Sequence, residues 1–264
     1  MEGTPPVAFE IDSREMAAQS AKGLSHRDVN ISAFDERDEL AEFEWQSFRV
    51  EKICSILRTI SNKETAGDLG CLSGMATELY SATGIKTLHA FDISQGSLSK
   101  VRTKGFEGFY WNADGGRCPM PDNTYDLLIA GEIIEHLVDT DHFAGEAHRI
   151  LKSGGHLILS TPNLASWYNR LRLLRGLVPA CYPGPSSTIR KNLLVDNNHI
   201  RVNVLSEWIH FLQCHKFQIE RIHGSSHFQG LKGGWRTRLL KFIDRLACRH
   251  PPLSTDIILV ARKP

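Results

Sequence analysis

The stretch that decides the fold is TAGDLGCLSGMATELY, residues 65–80. Ala66 to Leu69 is a short run of strand length, and Gly70 to Gly74 is a turn that contains two glycines. A helical pattern from Met75 to Ser81 follows and ends at Gly84. A strand, a glycine-containing turn and a helix in this order predict the first unit of an open α/β sheet, with a ligand site at the turn.

The same alternation of strands and helices continues along the chain. The predicted strands lie at residues 66–69, 87–93, 108–111, 125–130, 156–160, 217–222 and 256–261. Because helices separate most of them, we expect right-handed crossovers and a doubly wound α/β fold with a mostly parallel seven-stranded sheet. A long helix is predicted from Glu132 to Leu151, and the pair Gly154-Gly155 is expected to end it.

The domain organisation follows from where this alternation is absent. Residues 1–33 show no clear periodicity and are predicted to form an N-terminal arm. Residues 34–264 are long enough for one α/β domain. Insertions at about residues 164–215 and 225–253 interrupt the strand pattern, and we expect them to form a helical cap over the carboxyl edge of the sheet.

The charge of the chain is unevenly distributed although its net value is only +1. Residues 165–250 contain 14 Lys or Arg against four acids. This excess favours an anionic group on the acceptor or partner, with a solvated basic face as the alternative. Residues 235–248 predict a basic amphipathic helix, for which we expect core packing and keep peripheral membrane contact as the alternative. No segment approaches the ~20 apolar residues of a membrane-spanning helix.

Cysteine usage bears on the cellular compartment. The six cysteines are scattered and include no C-x-x-C pair. The N-terminus lacks the basic and apolar regions of a secretory signal. We therefore expect reduced thiols and a cytoplasmic protein. The sequence leaves the oligomeric state open.

Acidic residues follow three successive predicted strands. Asp68 precedes Gly70 in the first turn, where a carboxylate would repel a pyrophosphate and attract a cofactor with ammonium and sulfonium charges. Asp92 lies 22 residues after Gly70, where an acid can bond a ribose diol. Asp114 can accept from an adenine amino group, and Gly70 and Gly74 let a ligand approach the backbone. The missing G-x-G-x-x-G motif argues against a nicotinamide-dependent oxidoreductase.

The segments GDLGCLSG, LHAFDIS, WNADGG, YDLLIAGEIIEHL and LKSGGHLILSTPN occur in this order. Together they resemble the class I S-adenosylmethionine-dependent methyltransferases over about residues 51–163. More loosely, EIIEHL, STPN and NHIRVNVLSEWIHFL resemble the branch that holds the ubiquinone-biosynthesis O-methyltransferase and methyltransferases of glycan and natural-product pathways. The resemblance implies a Rossmann-like methyltransferase fold with S-adenosylmethionine as the cofactor.

The resemblance also implies roles for the residues of the site. The glycine turn would hold the methionine moiety, Asp92 the ribose, and Ala113 and Asp114 would contact adenine. As the alternative to binding a metal, Glu132 is expected to hold the amino group of the cofactor. The residues expected to contact the cofactor are Asp68, Gly70, Cys71, Gly74, Asp92, Ile93, Ala113, Asp114 and Glu132. Leu72 stands where a glycine or another small residue is usual in the family. This departure leaves a non-catalytic, cofactor-binding relative as an alternative.

Acidic and imidazole side chains recur in the EIIEH segment. Glu132, Glu135 and His136 would share one face of the predicted helix. With His199 they resemble the set that binds a divalent cation in small-RNA 3′-terminal 2′-O-methyltransferases. We expect no metal here, and we assign His136 and His199 as candidate bases for a hydroxyl acceptor.

The expected reaction is O-methylation of a small-molecule hydroxyl on a sugar, an aromatic ring or a natural-product intermediate. The alternative is a metal-assisted RNA 2′-O-methyltransferase, which the basic C-terminal third supports. The sequence contains no RNA-binding module and no basic stretch with interleaved aromatic residues, which argues against a nucleic-acid acceptor.

Overall fold

The computed structural model describes residues 39–182, 199–231 and 233–264, with side chains from residue 47 onward. The predicted N-terminal arm, residues 1–33, lies outside the described residues.

The helices and strands alternate much as the sequence predicts. The helices are α1 (Glu39–Leu57), α2 (Met75–Ser81), α3 (Gln95–Thr103), α4 (Thr140–Ile150), α5 (Trp167–Leu174), α6 (Leu205–Cys214) and α7 (Trp235–Ala247). The strands are β1 (Thr65–Leu69), β2 (Thr87–Asp92), β3 (Glu107–Tyr110), β4 (Tyr125–Gly131), β5 (Leu151–Pro162), β6 (Gln218–Ser225) and β7 (Asp256–Arg262). Short 3₁₀ helices occur at Ile134–His136, Phe228–Gly230 and Pro251–Leu253.

The seven strands form one sheet in the order β3-β2-β1-β4-β5-β7-β6. Strands β1 to β5 are parallel, whereas β7 runs antiparallel to both β5 and β6. The strand order reverses between β1 and β4, and ligands of open α/β sheets bind at the carboxyl ends of strands at such a point. The predicted mostly parallel seven-stranded α/β fold is confirmed.

Both faces of the sheet are covered, which explains the continuous apolar run of β4. Leu128 and Ala130 belong to the core on one face, whereas Leu127 and Ile129 belong to the core on the other. A strand that is buried on both faces has no polar face to present to water, so its sequence does not alternate. Trp208 of α6 is fully buried in the first of these cores.

The predicted helix from Glu132 to Leu151 is wrong, because the chain changes conformation twice in this stretch. Glu132 adopts a left-handed φ of 56°, and the 3₁₀ helix Ile134–His136 follows it. The α-helix begins only at Thr140, where the Asp139 side chain caps its first turn. The 3₁₀ helix therefore carries the EIIEH side chains, separately from α4.

The predicted helix stop at Gly154 and Gly155 is also wrong, because both glycines lie inside a strand. Strand β5 begins at Leu151, immediately after α4 ends. The register between β4 and β5 shifts between Tyr125 and Leu127. The glycine pair therefore lies at a local irregularity of the sheet, the position where glycine is typical inside a strand.

The apolar face of α7 does not pack into the core, contrary to the expectation from its sequence. Trp235, Leu239 and Phe242 are 71%, 51% and 61% exposed. At the end of α5, Leu174 is 83% exposed. The described helices include none that is both long and apolar enough to cross a membrane.

Candidate active site

The turn after β1 is held against β2 and against the segment after β4. The N–H groups of Gly70 and Cys71 both donate to the Phe91 carbonyl, at 2.8 and 3.0 Å. Gly70 has a φ of +79°, and a Cβ at this position would lie 3.1 Å from Cδ1 of Ile133. Gly74, with a φ of +77°, precedes α2. Glycine therefore permits both the backbone conformation of the turn and the approach of Ile133.

Asp92 fixes the same turn from the end of β2. Its Oδ2 accepts from the Leu72 N–H at 2.9 Å, and its Oδ1 accepts from the Ser94 N–H at 2.8 Å. Leu72 has a φ of 47°, in the left-handed region that costs a non-glycine residue roughly 1–2 kcal/mol. Carboxylate oxygens are acceptors for hydroxyl groups such as those of a ribose. Ile93, between Asp92 and Ser94, is half-buried.

Asp68 is a buried acid at the end of β1. Thr77 Oγ1 donates to its Oδ2 at 2.6 Å. Burial raises the pKa of Asp68 to about 7, and the nearby Asp92 adds to this, while Thr77 and Arg49 oppose it. A cationic group placed beside this carboxyl would favour its charged form.

Asp114 anchors the segment that leads into α4. Its Oδ1 accepts from the N–H groups of Val138 and Asp139, at 2.6 and 3.0 Å. Ala113 beside it is buried in the same core as Trp111. Because a carboxylate has about four lone-pair sites, Asp114 retains acceptor capacity for a ligand amino group.

Glu132 is an acid whose side chain is 12% exposed, and it lies beside a buried arginine. Its Oε1 is 3.8 Å from Arg49 Nε, and Arg49 Nη1 donates to Ser160 Oγ at 3.1 Å. Burial would raise the pKa of Glu132, but the charge of Arg49 lowers it. Glu132 Oε1 accepts no hydrogen bond from any described residue. Since buried oxygens are normally bonded, this one fits the ammonium of an amino-acid ligand.

Three of the predicted site residues converge on one point. The potential ligand atoms of Glu135, His136 and His199 lie within 4.8 Å of one another, and all three residues are buried. The two imidazole ring centroids are 4.8 Å apart. Thr161 Oγ1 donates to Glu135 Oε2 at 3.2 Å. Burial, reinforced by the charge of Glu132, raises the pKa of Glu135 well above its usual value.

A second group of polar side chains adjoins the first. The potential ligand atoms of Glu132, His227 and Asp256 also lie within 4.8 Å of one another. His227 Nε2 is 2.7 Å from Asp256 Oδ1. Although burial opposes its charge, Asp256 raises the pKa of His227 well above its usual value. The structure therefore brings Glu135, His136 and His199 together, and Glu132 adjoins both this group and the pair of His227 and Asp256, since its side chain also bonds with Glu135.

Sequence reasoning assigned no role to Arg49 or Asp256. Arg49 is on α1, and Asp256 is the first residue of a strand. Neither residue therefore lies at the carboxyl end of a predicted strand, where ligand-binding groups are expected from the sequence. Asp256 reaches the carboxyl edge because β7 is antiparallel and pairs Asp256 with Pro162. Cys181 was also missed. Burial opposes its ionisation, but bonds with His199 and His227 lower its pKa.

Comparison with known proteins gives these observations a family context. A sequence profile for a methyltransferase domain matches residues 67–159. The chain is 28% identical over 111 residues to a probable S-adenosylmethionine-dependent methyltransferase of Mycobacterium tuberculosis, covering 41% of this chain and 40% of the relative. It is 32% identical over 128 residues to the ubiquinone/menaquinone biosynthesis C-methyltransferase of Psychromonas ingrahamii, covering 45% and 49%. The alignments therefore span less than half the length of these curated relatives.

The fold is also similar to solved structures. A chain of the complex between the Haloferax volcanii Trm112 methyltransferase activator and a methyltransferase superposes with a TM-score of 0.62 at 18% identity. The match covers 91% of this chain and 98% of that one. At this identity the likeness establishes the architecture alone.

Proposed function

Because the chain belongs to the class I S-adenosylmethionine-dependent methyltransferases, we propose that it methylates a hydroxyl group of a small molecule. The observation that carries the proposal is the position of the glycine turn. Gly70 packs against Ile133, so the turn adjoins Glu132 and the buried acid and imidazole groups around it. A cofactor held at the turn would therefore lie beside groups able to accept a proton.

The cofactor contacts that we propose are those expected from the sequence. They are Asp68, Gly70, Cys71, Gly74, Asp92, Ile93, Ala113, Asp114 and Glu132. Two acids in this set, Asp68 and Glu132, fit the ammonium of the methionine moiety. We also propose that residues 34–264 act as one domain whose segments 164–215 and 225–253 cover the acceptor.

When bound, the cofactor supplies a methyl group on a sulfonium centre, which is transferred by an in-line displacement. A hydroxyl acceptor must lose its proton in this reaction, and imidazole is the side chain suited to accept it near neutral pH. His136 and His199 are the proposed bases. The Cys181 carbonyl oxygen lies 3.1 Å from His199 Nδ1. A proton on Nδ1 that is donated to this carbonyl would leave Nε2 as the basic nitrogen.

The basic cap supports an acceptor that carries an anionic group, such as a sugar, aromatic ring or natural-product intermediate within a larger conjugate. Arginine side chains suit phosphate and carboxylate groups. The six cysteines are all unpaired, which supports a reducing, cytoplasmic location.

The test is a screen of hydroxyl, amine and carbon acceptors with methyl-labelled cofactor and mass-spectrometric detection. We expect a hydroxyl product and a single-turnover rate that rises between about pH 6 and about pH 8, the range in which histidine titrates. His136→Ala or His199→Ala should abolish this rise. His156→Ala is the matched control, because His156 pairs with Glu220 in the middle of β5, away from its carboxyl end, and should keep the wild-type profile.

Three results would contradict the proposal. Methylation of amines or nucleic acids alone would refute the hydroxyl acceptor. A flat pH profile with chemistry rate-limiting would refute the histidine base. Cofactor binding without a single turnover on any acceptor would favour the non-catalytic alternative, for which the bulky Leu72 in the turn is the structural argument.

A metal-assisted hydroxyl methyltransferase is the second candidate, because Glu135, His136 and His199 could supply three ligands to one divalent cation. We expect methyl transfer to survive exhaustive EDTA treatment. Burial and the charge of Glu132 raise the pKa of Glu135 well above its usual value, which opposes the charged form that a metal ligand needs. Loss of activity with recovery on adding Mg²⁺ or Mn²⁺ would establish the metal-assisted reaction instead.

A further inference from the structure

The exposed apolar surface formed by α5 and α7 is a feature that the proposed activity does not use. We call it the α5–α7 face. Its exposed apolar side chains are Leu171, Leu173, Leu174, Leu177, Val178, Trp235, Leu239, Phe242, Ile243 and Leu246. Isolated apolar residues on a surface are ordinary, but a contiguous group rimmed by polar residues marks an interaction site.

The two helices form a groove between them. Trp167, Tyr168 and Leu171 line it from α5, whereas Trp235 and Leu239 line it from α7. The groove encloses about 370 Å³. Its wall is mostly apolar, so water gains few hydrogen bonds there and an apolar occupant would displace it favourably.

The charge around the groove is positive. The exposed or half-exposed basic residues of the two helices and the residues that follow them are Arg170, Arg175, Arg236, Arg238, Lys241, Arg245 and Arg249. The acid within these helices, Asp244, is fully buried and accepts from Trp167 Nε1 at 2.9 Å. No acid of α5 or α7 therefore offsets this basic charge at the surface.

Arg172 places a further positive charge at the groove. Its side chain lines the groove and is 8% exposed. Its Nε donates to the Val178 carbonyl at 2.6 Å, and its guanidinium lies 5.7 Å from the centre of the Tyr168 ring. Its Nη2 is buried and donates no hydrogen bond to any described residue. The guanidinium therefore holds a positive charge at the base of the groove, which adds to the basic charge around it.

We propose that the α5–α7 face docks on an anionic phospholipid membrane. The pattern matches an interfacial helix: Trp235, Leu239, Phe242 and Leu246 form one apolar stripe, and basic residues flank it. Long basic side chains can bury their stems and direct their charges to lipid phosphates. The face is near the candidate active site, because Phe228, next to His227, contacts the Tyr168 ring at a centroid distance of 4.9 Å.

The test is flotation of the full-length protein with lipid vesicles. The vesicles are phosphatidylcholine alone, or phosphatidylcholine and phosphatidylglycerol in equal parts, at low and high salt. We expect binding to the anionic vesicles that high salt weakens. Each of Arg238→Ser and Arg245→Ser should weaken binding by about fivefold, and the double change Trp235→Ala and Phe242→Ala by at least about tenfold.

Matched controls separate docking from nonspecific effects. Leu79→Ala removes an exposed apolar side chain from α2, and Arg117→Ser removes an exposed charge from the loop before β4. Both should bind as the wild type does. Trp235 also provides a direct signal, since its fluorescence should shift to shorter wavelength with anionic vesicles. Trp235→Phe should lose that shift while keeping most of the binding.

Three outcomes would overturn the proposal. One is failure to bind anionic vesicles at low salt, and another is binding that the α5–α7 variants leave unchanged. The third is a concentration-dependent dimer in sedimentation that Trp235→Ala and Phe242→Ala abolish. That dimer would show that a second copy of the chain covers the face. Retained thermal stability in each variant establishes that lost binding is not lost folding.

Discussion

Asp68 should couple cofactor binding to pH. Its side chain is 4% exposed, and burial raises its pKa from 3.8 to about 7. This increase of about three in the pKa means that the folded protein disfavours the charged carboxylate by about 4 kcal/mol. An ammonium group beside Asp68 would stabilise the carboxylate and lower its pKa, so binding below pH 7 should release a proton. The affinity should therefore rise with pH and level off above about pH 7.

Isothermal titration with S-adenosylhomocysteine measures this coupling, because the product retains the amino-acid moiety. Between about pH 5 and about pH 6.5 the Kd should fall by roughly tenfold per pH unit. Titrations in two buffers of different ionisation enthalpy should show release of nearly one proton per ligand at about pH 6. Asp68→Asn should bind more weakly and lose most of the pH dependence.

The matched control is Asp126→Asn. Asp126 is also 4% exposed, but it starts β4 at the opposite edge of the sheet, where Lys152 and Thr65 bond its carboxylate. This variant should keep the wild-type dependence on pH. An equally steep dependence in Asp68→Asn, or no proton release by the wild type, would refute the role of Asp68.

Three further substitutions test the glycine turn. Asp92→Ala should weaken S-adenosylmethionine binding by roughly 1–3 kcal/mol, since it removes hydrogen bonds to a charged acceptor; wild-type affinity in calorimetry would contradict the ribose assignment. Leu72→Gly removes the strain energy of a left-handed φ but increases the conformational entropy of the unfolded chain. Because these two effects oppose each other, the unfolding free energy should change by less than about 1 kcal/mol. A larger change in denaturant titration would show that the leucine side chain itself matters. Gly70→Ala should destabilise the fold by about 1–3 kcal/mol, because a Cβ at a φ of +79° would approach Ile133 to 3.1 Å. An unchanged denaturation midpoint would refute this.

The elements that were predicted well from the sequence are those whose pattern of apolar residues follows directly from their burial. Strand β4 reads as an apolar run because both of its faces are covered. Asp92 could be placed at the carboxyl edge of the sheet because it is the last residue of β2, and the carboxyl ends of parallel strands lie at the same edge. The alternation of strands and helices then implied the sheet, independently of any side-chain contact.

The elements that sequence missed depend on contacts between distant segments. Glu132 leaves the helical conformation because its N–H donates to the Ser160 carbonyl of the neighbouring strand, at 3.0 Å. Spacing placed Glu132 and Glu135 on one face of an α-helix, but the left-handed φ of Glu132 and the following 3₁₀ helix bring these side chains together without such a helix. The pairing of His227 with Asp256 likewise depends on the antiparallel strand β7. The amphipathic pattern of α7 is the same whether its apolar face is covered or exposed, so its exposure required the structure.

The position of β7 in the sheet determines the order in which parts of the protein can fold during synthesis. Strand β6 is synthesised before β7, yet among the described strands β7 is its only neighbour. A nascent chain must therefore hold β6 outside the sheet until residues 256–262 have emerged. The glycine turn needs only β1, β2 and the segment after β4, all made much earlier, and folding during synthesis proceeds from the N-terminal side. Asp256 reaches His227 only with the last strand. The growing protein can thus complete the glycine turn first, and the pair of His227 and Asp256 forms only when β7 is inserted.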